Sequence, residues 1–182
     1  MRVIAGKARG IQLHTPRGKL TRPTTDRVKE ALFSILQFEL PGAKVLDLFG
    51  GTGQLGIEAL SRGASRAVFV DSRREACQLI RSNLKKTHLE QDAMVMQRDY
   101  MDYLNQCHEQ FRLILLDPPY AEVFLENSIK RITEIDILQS NGIIATERPL
   151  GKELPWEFPG FTRSKDYKYG QILLTFYRKN EE

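Results

Sequence analysis

Residues 45–56 decide the fold, and they read VLDLFGGTGQLG. A mostly apolar run leads directly into glycines at the spacing Gly51-x-Gly53-x-x-Gly56. Glycine tolerates the backbone conformations of such a loop and lets the chain approach a ligand closely. The stretch therefore predicts the first strand, loop and helix of an α/β sheet that binds a small ligand at its carboxyl edge.

Downstream of residue 44, short apolar runs alternate with segments whose apolar residues recur at helical spacing. That alternation is typical of a parallel sheet covered by helices on both faces. We expect a doubly wound, mostly parallel α/β sheet that ends in an antiparallel hairpin turning near Gly170. The predicted strands are 45–49, 67–71, 93–96, 111–116 and 142–146, the predicted helices are 56–62, 73–86 and 124–135, and the hairpin joins 162–169 to 171–178.

The chain ahead of this sheet has a different pattern. Residues 3–5 and 11–13 flank a glycine-bounded segment, which predicts a small β-hairpin. Residues 24–26 supply side chains that can cap a helix with one apolar face. We therefore divide the chain into a basic hairpin extension, residues 1–21, and an α/β domain, residues 22–182.

Basic residues are concentrated at the amino-terminal end. The net charge is +4, and residues 1–30 contribute +6 from eight basic and two acidic side chains, which leaves −2 for the remainder. A basic end on a nearly neutral body favours a polyanion partner such as nucleic acid. A merely solvated surface is the alternative.

Composition excludes several other classes of protein. Cys77 and Cys107 are too few for a disulfide framework, and three scattered histidines suggest no metal site. No window approaches the roughly 18 apolar residues of a membrane span, and the chain start has no hydrophobic signal core. We therefore expect a cytoplasmic monomer without a metal ion or a membrane segment.

The glycine loop is compatible with two kinds of nucleotide cofactor. Asp71 lies about 20 residues beyond the loop, where its carboxylate can accept hydrogen bonds from ribose hydroxyls. A nicotinamide or flavin dinucleotide and S-adenosylmethionine both carry such a ribose. Asp47 favours the second, because a carboxylate beside the loop repels a pyrophosphate and attracts the ammonium group of a methionyl moiety. A tight strand-to-helix turn without a ligand is the simpler alternative.

The segment from Asp47 to Gly53 resembles motif I of class I S-adenosylmethionine-dependent methyltransferases, whose pattern is Asp-x-Phe-x-Gly-x-Gly. The resemblance implies a Rossmann-like class I methyltransferase fold and S-adenosylmethionine as the cofactor. It also implies that the residues after the third strand contact the adenine edge. For Asp71 and its neighbour, an ordinary helix cap is the alternative role. The cofactor-binding residues that we predict are Asp47, Phe49, Gly51, Gly53, Asp71, Ser72, Asp99 and Tyr100.

The fourth predicted strand ends in Asp117-Pro118-Pro119-Tyr120, the most specific feature of the chain. Two successive prolines restrict the backbone and remove two N–H donors, so that carbonyl groups can point into a cleft. A carboxylate beside a fixed carbonyl is suited to hold an exocyclic amino group. The aromatic ring can stack on a planar base. A rigid turn at the end of a strand is the alternative.

This tetrapeptide resembles the Asp/Asn-Pro-Pro-Tyr/Phe motif of methyltransferases that act on amino groups of nucleobases. The resemblance implies three catalytic residues. Asp117 and the carbonyl of Pro118 would accept hydrogen bonds from the target amine, and Tyr120 would stack on the base. Such hydrogen bonds favour a pyramidal nitrogen whose lone pair points at the methyl donor, so that transfer needs mainly alignment. A stacked base must first be flipped into the pocket.

Sequence blocks along nearly the whole chain resemble the RsmD family of bacterial methyltransferases. That family modifies the exocyclic N2 amine of one guanine in small-subunit ribosomal RNA, so the implied partner is this RNA or an assembling small ribosomal subunit. Residues 50–52 read Gly-Gly-Thr where the family more often has Ala-Gly-Ser, a change that keeps the side chains small. The matching blocks are residues 2–6, 22–33, 55–64 and 169–171.

The same resemblance implies that basic residues near the chain start bind RNA. Their contacts with phosphates supply affinity and salt dependence but little sequence information. For Arg22 and Arg27, surface solvation or pairing with Asp26 and Glu30 is the alternative. The RNA-binding residues that we predict are Arg2, Lys7, Arg9, Arg17, Lys19, Arg22 and Arg27.

Three other functions stay open at this point. Both guanine and adenine amines are methylated by enzymes with similar tetrapeptides, so an adenine-N6 methyltransferase of DNA or RNA is one alternative. A non-catalytic RNA-binding protein of ribosome assembly is the second. The third, a dinucleotide-dependent oxidoreductase, has no evident proton relay in this sequence.

Overall fold

The computed structural model describes residues 1–16, 26–119 and 122–180, and the strands of these residues form one mixed sheet. Its order is β3-β2-β1-β4-β5-β9-β7-β6, with β8 paired to β9. The strands are β1 (Lys44–Asp47), β2 (Arg66–Asp71), β3 (Ala93–Gln97), β4 (Phe111–Leu116), β5 (Leu138–Pro149), β6 (Glu157–Phe158), β7 (Phe161–Arg163), β8 (Tyr167–Tyr169) and β9 (Ile172–Lys179). The helices are α1 (Asp26–Ile35), α2 (Gln54–Ser61), α3 (Arg74–Thr87), α4 (Tyr100–Asn105) and α5 (Glu122–Ile135), with a 3₁₀ turn at Glu90–Asp92.

The first five strands confirm the doubly wound prediction. All four pairings among them, β3 with β2, β2 with β1, β1 with β4 and β4 with β5, are parallel. The strand order reverses direction between β1 and β4, and in such sheets ligands bind at the carboxyl edge beside this point. The remaining pairings are antiparallel.

The helices cover both faces of the sheet, as the nearly continuous apolar strands predict. One core lies between the sheet and α1, α2 and α3, and it includes Phe33, Leu60 and Ile80. The other lies between the sheet and α4 and α5, and it includes Leu104 and Ile129. We call these the first face and the second face of the sheet.

The predicted elements are present with shifted ends. Strand β5 is longer than predicted, because its carboxyl half pairs with β9 from Ile143 to Pro149. The predicted hairpin at Gly170 is formed by β8 and β9, and β7 is a further strand on the same edge of β9, opposite β5. Helix α4 was not predicted, since its six residues are too few for a periodic pattern.

Residues 1–16, which we call the amino-terminal segment, pack against α2 on the first face. A single bridge between Arg2 and Gln12 is the β-pairing of the predicted hairpin. Val3 is buried in the first core, and both carboxylate oxygens of Glu58 accept backbone N–H groups of the segment. Glu58 is itself buried with the ammonium group of Lys29 at 3.6 Å, and this ammonium group donates to the backbone carbonyl of Arg2, so hydrogen bonds to a buried ion pair hold the segment in place. The boundary at residue 21 lies outside the described residues and stays a prediction.

Two absences concern the described residues. None of their helices is long and apolar enough to cross a membrane. Their His, Cys, Asp and Glu side chains form no group of three or more that could hold a metal ion.

Candidate active site

Four carboxylates lie on four neighbouring strands at the carboxyl edge of the parallel part of the sheet, and we call them the carboxylate row. Side chains two positions apart in a strand lie on the same face. The residues two positions before these carboxylates all belong to the first core, so the row projects from the first face. In strand order β2, β1, β4 and β5, the row is Asp71, Asp47, Asp117 and Glu147, and the preceding residues are Phe69, Val45, Leu115 and Ala145.

A cavity of about 940 Å³ opens along this row. Its volume lies at the upper end of the roughly 300–1,000 Å³ range of small-molecule sites. Gly53 is not on its wall, and Tyr120 lies outside the described residues. The predicted residues that do line the cavity are Asp47, Phe49, Gly51, Asp71, Ser72, Asp99, Tyr100, Asp117 and Pro118.

The loop after β1 needs its glycines for backbone conformation and for space. Gly51 and Gly53 have φ angles of +55° and +79°, in the left-handed region that other residues rarely adopt. Gly53 is the N-cap of α2 and has no side chain to make a capping bond. At Gly56, a Cβ atom would collide with the ring of Phe69. Gly53 therefore shapes the loop from outside the cavity wall.

Asp47 is buried at the base of the cavity. One of its carboxylate oxygens accepts a hydrogen bond of 3.0 Å from the backbone N–H of Gly56. Burial, together with the nearby carboxylates of Asp117 and Asp71, raises the pKa of Asp47 to about 8, although the hydrogen bond from the Gly56 N–H lowers it. At neutral pH this residue is therefore mainly the neutral acid until a cation approaches it.

Asp71 has hydrogen-bond partners at both carboxylate oxygens. Oδ2 accepts the N–H of Gly51 at 2.9 Å, and Oδ1 accepts the N–H of Arg73 at 2.9 Å. The guanidinium group of Arg73 donates to both oxygens, at 3.1 and 3.2 Å. A carboxylate has about four acceptor sites, so a ribose diol can bind here only if the guanidinium group moves aside.

Three aromatic rings meet at another part of the cavity wall. The ring centroids of Phe49 and Tyr100 are 5.2 Å apart, and Phe124 lies 5.5 Å from Tyr100 in an edge-to-face arrangement. Burial raises the pKa of Tyr100. A planar ring such as adenine or guanine can pack against such a wall. Phe124 is a site residue that we did not predict, because its helix pattern alone indicates a core position.

Asp99 has a structural contact that the sequence left open. It is the N-cap of α4, and its side chain accepts the N–H groups of Met101 and Asp102. The residue is exposed and lies on the cavity wall. A capping bond at one oxygen leaves the other oxygen able to accept a hydrogen bond from a ligand.

Asp117 and Pro118 follow β4 and are half-buried on the cavity wall, beside the loop of β1. The strand that follows β4 in the sheet, β5, contributes Glu147 and Arg148 to the same wall. We did not predict these two, since the predicted strand ended at residue 146. Arg148 is 1% exposed, and its Nη1 atom has no hydrogen-bond partner among the described residues.

The predicted RNA-binding residues that the structure describes are all exposed. Arg2 pairs with Asp26 at 3.2 Å, and Lys7 pairs with Asp92 at 3.5 Å. Met1 and Val28, the neighbours of Arg2 and Arg27 in the chain, are on the cavity wall, so these two arginines lie near the cavity. Lys7 lies near the amino edge of the sheet, where its backbone N–H donates to the carbonyl of Ser61 at the end of α2. Arg17, Lys19 and Arg22 lie outside the described residues.

Comparison with known proteins adds three full-length relatives. YlbH of Bacillus subtilis, provisionally named as an rRNA methyltransferase, is 39% identical over 98% of this chain and 99% of its own. Ribosomal RNA small subunit methyltransferase D of Escherichia coli is 31% identical over 100% of this chain and 91% of its own. The structure of Escherichia coli yhhF, provisionally named as a methyltransferase, superposes with a TM-score of 0.89 at 30% identity and covers 100% of this chain and 99% of its own.

The profile of a protein family matches residues 1–178, and that family is described as conserved hypothetical protein 95. The match includes the glycine loop, the whole carboxylate row and the amino-terminal segment. Together with the full-length identities, it shows that this chain belongs to the RsmD family, whose sequence blocks it shares.

Proposed function

We propose that this protein transfers a methyl group from S-adenosylmethionine to the exocyclic N2 amine of a guanine in small-subunit ribosomal RNA. The observation that carries the proposal is the shared cavity. The Asp117-Pro118 pair lines the same wall as Asp47 and the Gly51 loop. A site for a methyl donor and a site for an amine are therefore adjacent, which is the first requirement of direct transfer.

The residues around β1 and β2 fit the cofactor. S-adenosylmethionine supplies an electrophilic methyl group on a sulfonium and also carries an ammonium group. A cation beside Asp47 lowers the pKa of this buried acid and converts it to the carboxylate, which then holds the cation. Asp71 offers its two oxygens to the ribose hydroxyls once the side chain of Arg73 has moved. The ring of Phe49 or Tyr100 supplies an apolar surface for the adenine.

The residues after β4 fit the amine. The side chain of Asp117 and the carbonyl of Pro118 each accept a hydrogen bond from one N–H of the amino group. These two bonds orient the nitrogen lone pair toward the methyl group. The new N–C bond forms as the S–C bond breaks, and the electron pair of that bond remains on sulfur. The methylated nitrogen then loses one proton to Asp117 or to water.

The basic surface fits an RNA strand that enters beside this cavity. The exposed cations Arg2 and Arg27 are next in the chain to Met1 and Val28 on the cavity wall. Lys7 and Arg9 extend the basic surface along α2, as far as the ion pair of Lys7 with Asp92. Phosphate contacts at this surface would position the strand, while the cavity receives the flipped base. The name of the Escherichia coli relative supports small-subunit ribosomal RNA as the substrate class.

The test is methyl transfer to small ribosomal subunits and to free small-subunit RNA from cells that lack the protein. Labelled S-adenosylmethionine is the donor, and the labelled nucleoside is identified after digestion. We expect N2-methylguanosine at one site. N6-methyladenosine, or no transfer to either substrate by a protein that binds the donor, would overturn the proposal.

A further inference from the structure

Glu147 lies beside Asp117 on the next strand. Strands β4 and β5 are parallel, and their last register pair is Leu116 with Thr146. Asp117 and Glu147 are the next residue of each chain segment, and both line the cavity. Neighbouring strands are about 4.8 Å apart, so the two residues occupy adjacent positions at the sheet edge.

Their side chains also project from the same face. The apolar residues two positions earlier, Leu115 and Ala145, are both buried in the first core. In-register residues of a parallel pair share a face, and so do residues two positions apart. The site therefore has two neighbouring carboxylates where the tetrapeptide motif accounts for one.

Guanine has two neighbouring kinds of donor on its Watson–Crick edge, the N2 amino group and the N1–H. Adenine has its amino group beside an unprotonated N1, which is an acceptor. We propose that Glu147 accepts the N1–H of the target base while Asp117 and Pro118 hold the N2 amine, so that Glu147 selects guanine. This inference rests on the proposed function and names the residue that determines its base specificity.

The selectivity comes from the difference in free energy between a base that donates a hydrogen bond to Glu147 and one that does not. A carboxylate that accepts an N–H forms a charge-assisted bond, which is among the stronger hydrogen bonds in proteins. If adenine enters the same position, the carboxylate faces the lone pair of N1, which repels it. A site that is built to bond a polar group strongly rejects an analogue without that group.

The partly buried position of Glu147 strengthens the argument. Glu147 is half-buried, between the buried Thr146 and Arg148 on a paired strand. The backbone of β5 is held on one side by β4 and on the other by β9. A residue on a rigid strand can discriminate between bases whose edges differ by one proton, because it does not move to accommodate the wrong one.

The experiment uses small-subunit RNA with 2-aminopurine at the nucleotide that the protein methylates, introduced by ligation of a synthetic fragment. 2-Aminopurine keeps the amino group at C2 but has no N1–H. We expect Glu147→Gln to lower kcat/KM for the guanine RNA by about 10- to 100-fold, the range for a hydrogen bond to a charged group. For the 2-aminopurine RNA, we expect the same substitution to leave kcat/KM unchanged or to raise it, because glutamine removes the charge that faces the N1 lone pair and can donate an N–H to it.

Glu153→Gln is the matched control, since Glu153 is exposed in the turn after β5 and is not on the cavity wall. S-adenosylmethionine affinity, measured by calorimetry, should be unchanged in both variants. If Glu147→Gln does not fold, Glu147→Asp replaces it, and this variant should retain a preference for guanine over 2-aminopurine.

The outcomes separate the two proposals. If the wild-type protein methylates guanine N2 and Glu147→Gln slows both RNAs equally, the role of Glu147 is overturned and the proposed function stands. If the wild-type protein forms no N2-methylguanosine, the proposed function is overturned and this inference with it. Loss of cofactor affinity in Glu147→Gln would assign the residue to the cofactor and would also overturn the inference.

Discussion

The guanidinium group of Arg73 donates hydrogen bonds to both carboxylate oxygens of Asp71, from Nε to Oδ1 at 3.1 Å and from Nη2 to Oδ2 at 3.2 Å. The same carboxylate is the acceptor that we propose for the ribose hydroxyls of the cofactor. Arg73 is largely exposed, with 59% of its side chain accessible, so the pair is screened by solvent. Cofactor and Arg73 therefore compete for Asp71.

Arg73→Ala should accordingly tighten S-adenosylmethionine binding. An exposed ion pair contributes about 0.2–1 kcal/mol, so its removal should improve the Kd by roughly 1.5- to fivefold. Calorimetric titration measures this change directly. Arg74→Ala is the control, because Arg74 is exposed beside it and is not on the cavity wall. Weaker binding of the cofactor to Arg73→Ala would contradict the competition.

Asp117→Ala should abolish methyl transfer and leave cofactor binding nearly unchanged. The alanine cannot accept a hydrogen bond from the amine, so alignment of the lone pair is lost; we expect kcat to fall by about 100-fold or more. Single-turnover transfer and cofactor titration give the two quantities. Glu126→Ala, an exposed position on α5, controls for loss of an acidic side chain. A folded Asp117→Ala variant with full activity would refute the catalytic role.

The stability of the ligand-free protein should fall as pH rises from about 5 to 8, in part because of Asp47. Its pKa is raised from 3.8 to about 8 by burial and by the carboxylates of Asp117 and Asp71. Between these values the folded state holds a proton that the unfolded state has lost, so each added pH unit favours unfolding. The slope from one such group is at most about 1.4 kcal/mol per pH unit and disappears above the folded pKa.

The measurement for Asp47 is urea denaturation of wild-type protein and of Asp47→Asn across this pH range. Asparagine keeps an oxygen that can accept the Gly56 N–H but does not titrate. The difference in free energy of unfolding between the two proteins should therefore change with pH. Parallel pH profiles would show that Asp47 ionises normally in the folded state.

RNA binding should depend on the exposed cations of the amino-terminal segment and of α1. We expect Arg9→Glu and Arg27→Glu each to weaken binding and to reduce the slope of log K against log salt by about 1. Filter binding at several salt concentrations measures the slope. Lys130→Glu is the control, since this exposed residue lies on α5, on the second face of the sheet. An unchanged slope for the two arginine variants would remove this surface from the interface.

Local sequence determined the elements and much of the chemistry of this protein. Short, nearly continuous apolar runs indicated the five parallel strands, because a strand that is buried on both faces must be apolar along its length. The loop at Gly51 and Gly53 was predictable, since its positive φ angles favour glycine. The position of Asp117-Pro118 at a strand end followed from the same pattern.

Tertiary structure alone decided which of these residues meet. The register of β4 with β5 brings Glu147 to Asp117, although 29 residues separate them between positions 117 and 147. The order of the sheet brings Phe124 to Phe49 and Tyr100. Periodicity and motifs describe neighbours in the chain, whereas register and side-chain pairing depend on the packing of distant segments. Local sequence therefore indicated which segments carry functional residues, and only the folded sheet decided which of their side chains lie together in one site.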